Sequence, residues 1–338
     1  MSSLRPVSGT AEEILGLLRE WEAAEHPEPL VIATSGSTGA PKRVVLSRDA
    51  MRASALATQE RLGGPGQWVL NLPLSYVAGV QVLYRSVLAG TEPLFEGLGS
   101  SPSGRAYISL VPTQLYRALE DGFDTQDLTR YDAVLVGGGP LSPDVRAEAE
   151  HVGIRIVQTY GMSETCGGCV YDGRPLDGVE VRIDDGEVQL RGPVLFDGYQ
   201  DDPERTAAAM TEGWFRTSDL GRLDDDGRLW VTGRLDDVII SGGVKVPAGA
   251  VADRLKAHWF IDDAVVVGAP DEEWGEKVVA FYVPVKGGIE SADLAVVDKE
   301  VRALFPEPGW APKDYRPIDE IPTLSNGKPD RVHLRELA

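Results

Sequence analysis

The amino-acid sequence has few residues of the kind that build metal centres and disulfides. Its two cysteines, Cys166 and Cys169, form a single C-x-x-C, and only four histidines are scattered along the 338 residues. A structural zinc site commonly needs four closely spaced ligands of these types. We therefore expect neither a zinc centre nor a redox pair, and we interpret the two thiols as small residues beside a crowded loop.

Positive charge is also scarce. The chain has 33 lysines and arginines against 53 aspartates and glutamates, which gives a net charge of −20. Because nucleic-acid binding requires a basic face, we expect no nucleic-acid partner. An anionic substrate would instead be held by local positive charge and backbone N–H groups. The composition leaves the oligomeric state open.

Long apolar runs are absent as well. No run reaches the roughly 18 residues of a membrane-spanning helix, and the N-terminus lacks the charged and apolar regions of a signal peptide. We therefore expect no membrane span and a cytoplasmic location. With 42% hydrophobic and 25% charged residues, the composition is typical of a globular protein with room for a large domain and a small one.

Hydroxyl and glycine residues are concentrated in one stretch near the N-terminus. Residues 34–42 read TSGSTGAPK and lie between two apolar segments, 30–33 and 44–46, which predict flanking strands. In such a loop the glycines let backbone N–H groups converge, the hydroxyls add donors, and Lys42 adds a mobile positive charge. Together these groups suit a polyphosphate. The order differs from the common nucleotide loop G-x-x-x-x-G-K-[ST], and the alternative is a flexible polar surface loop.

Several local patterns predict where helices begin. Thr10 and Glu13 have the spacing of a capping box, Ser47 is placed to cap a second helix, and Ser142-Pro143 fit the cap and first position of another. Apolar segments that predict strands alternate with helical patterns, at 68–72, 106–111, 132–136 and 154–157. This alternation predicts a mostly parallel sheet covered by helices.

Ligands bind such sheets beyond the carboxyl ends of the strands, where the sequence places residues 137–139 and 160–164. Short β segments follow and predict a small β subdomain. From Val238 onward the pattern predicts a compact α+β unit. We therefore expect an α/β protein. Its large N-terminal domain, residues 1–235, would hold mostly parallel sheets and the β subdomain, and its small α+β C-terminal domain would comprise residues 236–338.

The hydroxyl-rich loop resembles the phosphate loop of the adenylate-forming superfamily, which includes acyl-CoA synthetases, adenylation domains of peptide synthetases, and luciferases. Further segments resemble motifs of that family in the same order. They are GGGPL at 137–141, YGMSE at 160–164 (Y-G-x-T-E in the family), TSD at 217–219 (T-G-D), GRLDDVIISGG at 233–243 and PTLSNGK at 322–328 (P-x-T-x-x-G-K). Gly198-Tyr199 also matches the family pattern. Because the order is kept over residues 34–328, we identify the chain as a member of this superfamily.

The resemblance implies roles for individual residues in nucleotide binding. Tyr160 would pack its ring on adenine, Asp219 would accept both ribose hydroxyls, and Arg234 would contact ribose and phosphate. Glu164 would hold Mg²⁺, an ion that takes one or two protein carboxylates beside phosphates. Ser218 replaces the usual glycine of T-G-D and makes the backbone less free. The implied nucleotide-binding set is Thr34, Ser35, Gly36, Ser37, Thr38, Lys42, Gly137, Gly138, Gly139, Tyr160, Gly161, Ser163, Asp219 and Arg234.

The resemblance also implies catalysis in two half-reactions with ATP, Mg²⁺ and coenzyme A. Lys328 would bridge the substrate carboxylate and the α-phosphate during adenylation, with Glu164 and Arg234 as the other catalytic residues. The C-terminal domain would then rotate about Asp236, so this domain is expected to be mobile. In the second orientation the loop Ser241-Gly242-Gly243 would line the pantetheine tunnel.

The position of the phosphate loop, which begins at residue 34, resembles the short o-succinylbenzoate–CoA ligases of actinobacteria, which act in menaquinone synthesis. Residues 71–83 resemble the acyl-pocket segment of those enzymes, with Tyr76 where most relatives have histidine. Arg85 is a candidate donor for the second carboxylate of the acid, and a solvent-facing position is the alternative. The implied acyl pocket is lined by Tyr76, Gly79, Gly138, Gly161 and Met162.

Three alternatives remain open at this point. The enzyme could act on another aryl or short acyl acid, or it could deliver its acyl-adenylate to a carrier protein or an amine instead of CoA. The third alternative is a non-catalytic nucleotide-binding module. Such a module need not keep both Glu164 and Lys328, and the sequence has both. The expected partners are therefore small molecules: an acid, ATP and CoA.

Overall fold

The computed structural model describes residues 5–34, 42–120, 123–285, 301–307, 309–323 and 329–338. The chain divides into two compact units. Unit 1 comprises Met1–Arg182, Gln189–Thr217 and Leu223–Leu229, and unit 2 comprises Ile183–Val188, Ser218–Arg222 and Trp230–Ala338. The boundary between residues 235 and 236 is a hinge expected from the family resemblance, and it stays a prediction.

Strands and helices alternate through the first half of the chain. In order they are β1 (Arg5–Pro6), α1 (Ala11–Ala23), β2 (Leu30–Thr34), β3 (Lys42–Leu46), α2 (Arg48–Arg61), β4 (Gln67–Val69), α3 (Val77–Ala89), β5 (Ala106–Leu110), α4 (Pro112–Glu120), α5 (Phe123–Leu128), β6 (Ala133–Val136), α6 (Pro143–His151), β7 (Ile156–Met162), β8 (Gly167–Tyr171) and β9 (Arg174–Pro175).

Strands predominate in the second half of the described chain. In order the elements are β10 (Glu180–Asp184), β11 (Glu187–Arg191), β12 (Gly198–Tyr199), α7 (Pro203–Ala209), β13 (Met210–Thr211), β14 (Trp214–Leu223), β15 (Leu229–Arg234), β16 (Val238–Ser241), β17 (Val244–Pro247), α8 (Ala248–Lys256), β18 (Ile261–Asp271), β19 (Gly275–Pro284), β20 (Asp314–Pro317) and α9 (Arg331–Leu337). No helix of the described ranges has the length and apolarity needed to cross a bilayer.

The predicted helix starts are confirmed. Thr10 caps α1 through a capping box, in which its hydroxyl accepts from the Glu13 N–H at 3.3 Å and its own N–H donates to the Glu13 carboxylate at 2.8 Å. Ser47 caps α2 in the same way, by accepting from Ala50 N–H at 3.4 Å. Pro143 is the first residue of α6, behind Ser142. Thr10 and Ser47 satisfy N–H donors that lack a partner within the helix. Ser142 makes no side-chain capping bond, and Pro143 suits the first turn of α6 because its φ is fixed.

A six-stranded sheet forms the centre of unit 1, in the order β4-β5-β6-β7-β8-β9. The strands from β4 to β7 are parallel, and β8 and β9 continue the sheet antiparallel. All residues of β5 and β6 are buried, as expected for parallel strands covered on both faces. The predicted α/β class and mostly parallel sheet are confirmed.

Two strands of this sheet differ in length from the prediction. β4 ends at Val69 rather than residue 72, because its pairing with β5 stops at Val69, opposite Ile108, and beyond it Leu70 N–H donates to the Leu94 carbonyl oxygen. β7 extends to Met162, so residues 160–162 lie inside the strand and not beyond its end. The cause is the antiparallel partner β8, which extends the pairing to Met162.

A second sheet of unit 1 contains the two strands that flank the predicted phosphate loop. Its order is β1-β2-β3-β12, with β1 parallel to β2 and the other pairs antiparallel. β2 and β3 confirm the predicted strands on either side of the hydroxyl-rich stretch. A separate core supports this sheet, in which α1 and α3 pack together with Leu18, Trp21 and Leu83 among the fully buried residues.

A five-stranded sheet confirms the predicted small β subdomain. Its order is β10-β11-β14-β13, with β15 paired to β14. The division into two units passes through four of these strands, since residues 183–188, 218–222 and 230–234 are assigned to unit 2.

The rest of unit 2 is the predicted α+β arrangement. Its sheet has the order β17-β16-β19-β18, with β20 parallel to β19. β18 and β19 form a long antiparallel hairpin, and α8 packs against β18. Val251 and Leu255 of α8 are fully buried against Val266 and Val278 of the sheet.

Candidate active site

The strands that flank the phosphate loop are paired up to its ends. Thr34 closes β2 and Lys42 opens β3, and the two residues are register partners in the ladder. The Thr34 hydroxyl also donates to the Lys42 carbonyl oxygen at 3.4 Å. The chain therefore leaves and re-enters the sheet at neighbouring positions, and the predicted role of residues 34–42 in phosphate binding stays a prediction. The remaining predicted members of the loop lie outside the described residues: Ser35, Gly36, Ser37 and Thr38.

Glu164 lies in a 3-10 turn, Ser163–Thr165, directly after β7. It is buried, with 8% of its surface exposed. Its Oε1 accepts a hydrogen bond from the Tyr199 hydroxyl at 2.8 Å. Burial, together with the neighbouring carboxylate, raises the pKa of Tyr199 well above its usual value, so the phenol stays the donor. Among the lysines and arginines of the described chain, none forms an ion pair with Glu164.

A buried carboxylate of this kind fits Mg²⁺ in a nucleotide site. Mg²⁺ prefers hard oxygen ligands and commonly takes one or two protein carboxylates beside substrate phosphates. A buried charge requires compensation, and a phenol hydroxyl supplies only one hydrogen bond. Within the described ranges, no group of three or more His, Cys, Asp and Glu side chains could hold a metal by itself. Glu164 stays the predicted Mg²⁺ ligand of the site.

Close backbone packing explains two of the predicted nucleotide-site glycines. A β-carbon on Gly161 would lie 2.1 Å from the Gly167 carbonyl oxygen, at the bulge where β7 pairs with β8. A β-carbon on Gly137 would lie 2.2 Å from the Thr159 hydroxyl oxygen. These contacts need glycine whether or not a nucleotide binds. The adenine contacts expected for these glycines and for Gly138, Gly139, Tyr160 and Ser163 stay predictions.

The predicted acyl-pocket residues come from several elements of unit 1. Tyr76 is the N-cap residue of α3, and Met162 ends β7, half-buried against the core. A β-carbon on Gly79 would lie 2.4 Å from the Pro73 carbonyl oxygen, so this glycine permits α3 to pack against the preceding loop. The pocket itself stays a prediction.

Arg85 does not face solvent, so that alternative is wrong. Only 6% of its surface is exposed, and its guanidinium carbon stacks 4.8 Å from the centroid of the Trp68 ring. Its Nη2 donates to the Thr58 hydroxyl at 3.2 Å. Arg85 is nine residues along α3 from Tyr76, a rise of about 13 Å. Its described contacts thus hold α3 against α2 and β4 at the far end of the helix.

In unit 2, Asp219 and Arg234 form an ion pair. Asp219 is 5% exposed, and its Oδ1 accepts from Arg234 Nη1 at 2.8 Å. A guanidinium at this distance neutralises the carboxylate. The structure brings the two residues together, and their predicted contacts with ribose and phosphate stay predictions.

The backbone beside Asp219 is unusual. Residues 217–219 lie within β14, and Ser218 has φ +60°, in the left-handed region that favours glycine. The Ser218 N–H donates to Oε1 of Glu187 at 3.1 Å, and Glu187 is itself buried. The strand therefore contains a single left-handed residue, at Ser218. The serine keeps the conformation expected of the family's glycine.

The Ser-Gly-Gly loop forms the turn between β16 and β17. Ser241 is buried, and Gly242 and Gly243 have φ +57° and +80°. Gly242 lies flat against Trp274, where a β-carbon would come within 2.6 Å of the ring, and its N–H donates to the Trp274 carbonyl oxygen at 2.9 Å. Asp236 lies in the 3-10 turn Leu235–Asp237, and Lys328 lies outside the described residues.

The two cysteines are buried free thiols beside Glu164 in the chain. Burial raises the pKa of Cys166 well above its ordinary value and that of Cys169 to about 12. Both thiols therefore stay protonated and unreactive near neutral pH. Cys166 follows the 3-10 turn with φ +53°, which agrees with its interpretation as a small residue in a crowded loop.

Sequence patterns do not identify two contacts of these regions, Tyr199 with Glu164 and Glu187 with Ser218. The partners are 35 and 31 residues apart in the chain. A signal exists for Tyr199 alone, because Gly198-Tyr199 matches the family pattern without an assigned role. Glu187 resembles any other acidic residue of an acidic chain.

Two family models match the sequence. The model of AMP-binding enzymes matches residues 17–200, and the model of the AMP-binding enzyme C-terminal domain matches residues 250–328. A probable 2-succinylbenzoate–CoA ligase of Mycobacterium tuberculosis is 40% identical over 339 residues, which cover 96% of this chain and 88% of that relative.

Solved structures agree with these matches. The o-succinylbenzoate CoA synthetase (MenE) from Bacillus subtilis, in complex with the acyl-adenylate intermediate OSB-AMP, has a TM-score of 0.77 at 28% identity, over 90% of this chain and 68% of that chain. The same enzyme with ATP and magnesium ion has a TM-score of 0.74 at 27% identity, over 91% and 69%. The amide bond synthetase McbA from Marinactinospora thermotolerans has a TM-score of 0.80 at 31% identity, over 92% of this chain and 70% of that chain. The chain therefore belongs to the adenylate-forming superfamily of AMP-binding enzymes, as a relative of its MenE-type members.

Proposed function

We propose that this enzyme is an o-succinylbenzoate–CoA ligase of menaquinone synthesis, which joins the acid to CoA and converts ATP to AMP and pyrophosphate. The observation that carries the proposal is the similarity to a probable 2-succinylbenzoate–CoA ligase over 96% of the chain. The buried Glu164, with a phenol as its described side-chain partner, supports an ATP-dependent first step.

In the first half-reaction a carboxylate oxygen of the acid attacks the α-phosphorus of ATP. The new O–P bond gives the acyl-adenylate, and the bond to the bridging oxygen breaks to release pyrophosphate. The phosphate loop of residues 34–42 binds the phosphates through its N–H and hydroxyl donors. Lys328 offsets the negative charge that develops at the α-phosphate.

Glu164 is the residue that would hold Mg²⁺. When bound, this ion supplies positive charge to the phosphates. Tyr160 and the glycines at 137–139 bind adenine, and Asp219 accepts the ribose hydroxyls while Arg234 keeps the carboxylate neutralised. The acid occupies the pocket proposed for Tyr76, Gly79, Gly138, Gly161 and Met162.

In the second half-reaction the thiol of CoA loses its proton and attacks the acyl carbonyl carbon. The C–S bond forms, the C–O bond to phosphate breaks, and AMP leaves. We assign the change between the steps to rotation of the C-terminal domain about Asp236. The turn Ser241-Gly242-Gly243, which lies flat against Trp274, then lines the path of the pantetheine arm. Because the reaction consumes ATP and CoA, a cytoplasmic location remains the prediction that fits this function.

One alternative has a specific observation in its favour. The similarity to the amide bond synthetase McbA, at 31% identity, favours an amine as the acceptor of the acyl group. That enzyme class shares the adenylation step, so only the second half-reaction separates the two functions.

The test measures the two half-reactions separately. With o-succinylbenzoate, ATP and Mg²⁺, the enzyme is expected to release pyrophosphate, and AMP and a thioester are expected only after CoA is added. Pyrophosphate release with benzoate or a fatty acid but not with o-succinylbenzoate would change the assigned acid. Amide formation with an added amine at a rate above that of thioester formation would change the assigned acceptor.

A further inference from the structure

We propose that Tyr199 is a positioning residue for adenylation, which holds the Glu164 carboxylate in place and keeps the Lys42 ammonium apart from it. This inference rests on one part of the proposed function, the role of Glu164 in holding Mg²⁺ beside the nucleotide. It assigns a task to a side chain that contacts two separate parts of the proposed site in unit 1.

The segment 196–199 holds Glu164 at two points. The Phe196 N–H donates to the Glu164 carbonyl oxygen at 2.9 Å, and the Tyr199 hydroxyl donates to its carboxylate at 2.8 Å. Backbone and side chain of the glutamate are thus fixed by residues of one short segment. The Phe196 and Tyr199 rings meet edge to face with centroids 5.0 Å apart, a favoured geometry that limits rotation of the tyrosine ring.

Tyr199 is itself anchored to the strand that leaves the phosphate loop. In the pairing of β12 with β3, Tyr199 lies opposite Val44, two residues after Lys42. The Tyr199 N–H donates to the Thr206 hydroxyl at 2.9 Å. Gly198 has φ +146°, and a β-carbon there would lie 2.9 Å from the Thr206 side chain, so the glycine permits this approach.

Two cations flank the tyrosine ring. Lys42 Nζ lies 5.7 Å and the Arg205 guanidinium carbon 5.4 Å from the ring centroid, within the range of cation–π attraction. The ring carries no net charge, so it attracts Lys42 without neutralising it. A direct ion pair of Lys42 with Glu164 would cancel both charges. With the ring as partner, the ammonium keeps its charge for phosphate and the carboxylate keeps its charge for Mg²⁺.

The experiment measures ATP binding by calorimetry in the absence of the acid, with Mg²⁺ and with a chelator. Tyr199→Phe removes the hydroxyl and keeps the ring. Because loss of a hydrogen bond to a metal-binding side chain commonly costs 10–100-fold in metal affinity, the affinity for Mg·ATP is expected to fall about 10-fold. Affinity for metal-free ATP is expected to stay within about twofold, since Lys42 keeps its ring partner.

The matched control is Tyr84→Phe. Tyr84 is a buried tyrosine of unit 1 whose hydroxyl also donates to a glutamate, Glu22, outside the proposed site. This variant is expected to bind Mg·ATP and metal-free ATP as the wild type does. Equal loss of both affinities in Tyr199→Phe, or an unchanged affinity for Mg·ATP, would overturn the proposal.

A double-variant cycle separates this inference from the proposed function. Glu164→Gln should remove most of the Mg²⁺ contribution to ATP binding, and adding Tyr199→Phe should then cost less than about twofold more, because the tyrosine acts through the glutamate. If Glu164→Gln leaves the Mg²⁺ contribution intact, the role proposed for Glu164 is wrong. If Glu164→Gln removes it and Tyr199→Phe does not reduce it, only the role of Tyr199 is wrong.

Discussion

Unit 1 and unit 2 each bury a carboxylate at a predicted site, and the two carboxylates have different partners. Glu164 of unit 1 and Asp219 of unit 2 are 8% and 5% exposed. Glu164 accepts from the phenol of Tyr199 at 2.8 Å, whereas Asp219 accepts from the guanidinium of Arg234 at the same distance. Burial alone therefore does not distinguish them; the charge of the partner does.

This difference separates two kinds of ligand. A buried carboxylate without a cationic partner is stabilised by a cation that arrives with the substrate. A carboxylate already paired with arginine gains little from a cation and serves as an acceptor for hydroxyl groups. On this basis we propose that the metal is held by Glu164 and the ribose by Asp219.

The largest expected effect tests whether a unit 2 residue acts in adenylation alone. Lys328→Ala is expected to lower the rate of acyl-adenylate formation by about 10² to 10³, because one charge-stabilising contact at the α-phosphate is lost. Thioester formation from supplied acyl-adenylate and CoA is expected to persist. Single-turnover assays of the two half-reactions measure this directly, and an equal loss in both would contradict the two-orientation mechanism.

Asp219→Asn tests the role proposed for the buried carboxylate of unit 2. The amide accepts fewer hydrogen bonds and no longer balances Arg234, so KM for ATP is expected to rise about 10-fold, the equivalent of one charge-assisted hydrogen bond. Preference for ATP over 2′-deoxy-ATP is expected to shrink, while dependence on Mg²⁺ is retained. Steady-state kinetics with both nucleotides provide the measurement. An undiminished preference for ATP would remove Asp219 from the ribose site.

Arg234→Met tests how much the positive charge of Arg234 contributes to the free energy of unfolding. The variant leaves the buried Asp219 without its cation, but the Arg234 side chain is 42% exposed, so water replaces part of the lost compensation. We expect the free energy of unfolding to fall by about 1–2 kcal/mol, less than for a fully buried pair. Urea unfolding measures it. Arg19→Met, which removes an exposed pair with Glu92, should lower the free energy of unfolding by less than about 0.5 kcal/mol. An equal loss in the two variants would contradict a stabilising role for the charge of Arg234.

Ser218→Gly has the smallest expected effect. A non-glycine residue in the left-handed region is strained by about 1–2 kcal/mol, and glycine relieves that strain but gains freedom in the unfolded chain. The free energy of unfolding is expected to rise by up to about 1 kcal/mol. Ser109→Gly in β5, where φ is not positive, is expected to lower it by about as much. The same unfolding assay compares them, and destabilisation by Ser218→Gly would contradict the strain assigned to Ser218.

The sequence predicted features that depend on neighbours along the chain. The capping box of Thr10, the cap of Ser47 and the strands flanking residues 34–42 follow from local chemistry and apolar patterns. The extension of β7 to Met162 was not predicted, because it depends on pairing with β8. Motif order identified the family, and it named Glu164 and Asp219 alike as carboxylates of the site.

The motifs do not indicate which residue contacts each carboxylate. Tyr199 reaches Glu164 from a strand 35 residues away, and Glu187 reaches Ser218 across 31 residues. No local periodicity encodes contacts of this separation: the first joins β12 to the turn after β7 of another sheet, and the second joins the neighbouring strands β11 and β14. The distinction between a charged and a neutralised carboxylate therefore emerges only from the folded chain.

The most direct test of the different roles compares Glu164→Gln with Asp219→Asn in one calorimetric experiment. The affinity of each variant for ATP is measured with Mg²⁺ and with a chelator. The account predicts that Glu164→Gln loses the gain in affinity that Mg²⁺ provides, whereas Asp219→Asn keeps that gain and binds more weakly by the same factor under both conditions. An equal loss of the Mg²⁺ gain in both variants, or its loss in Asp219→Asn alone, would contradict the account.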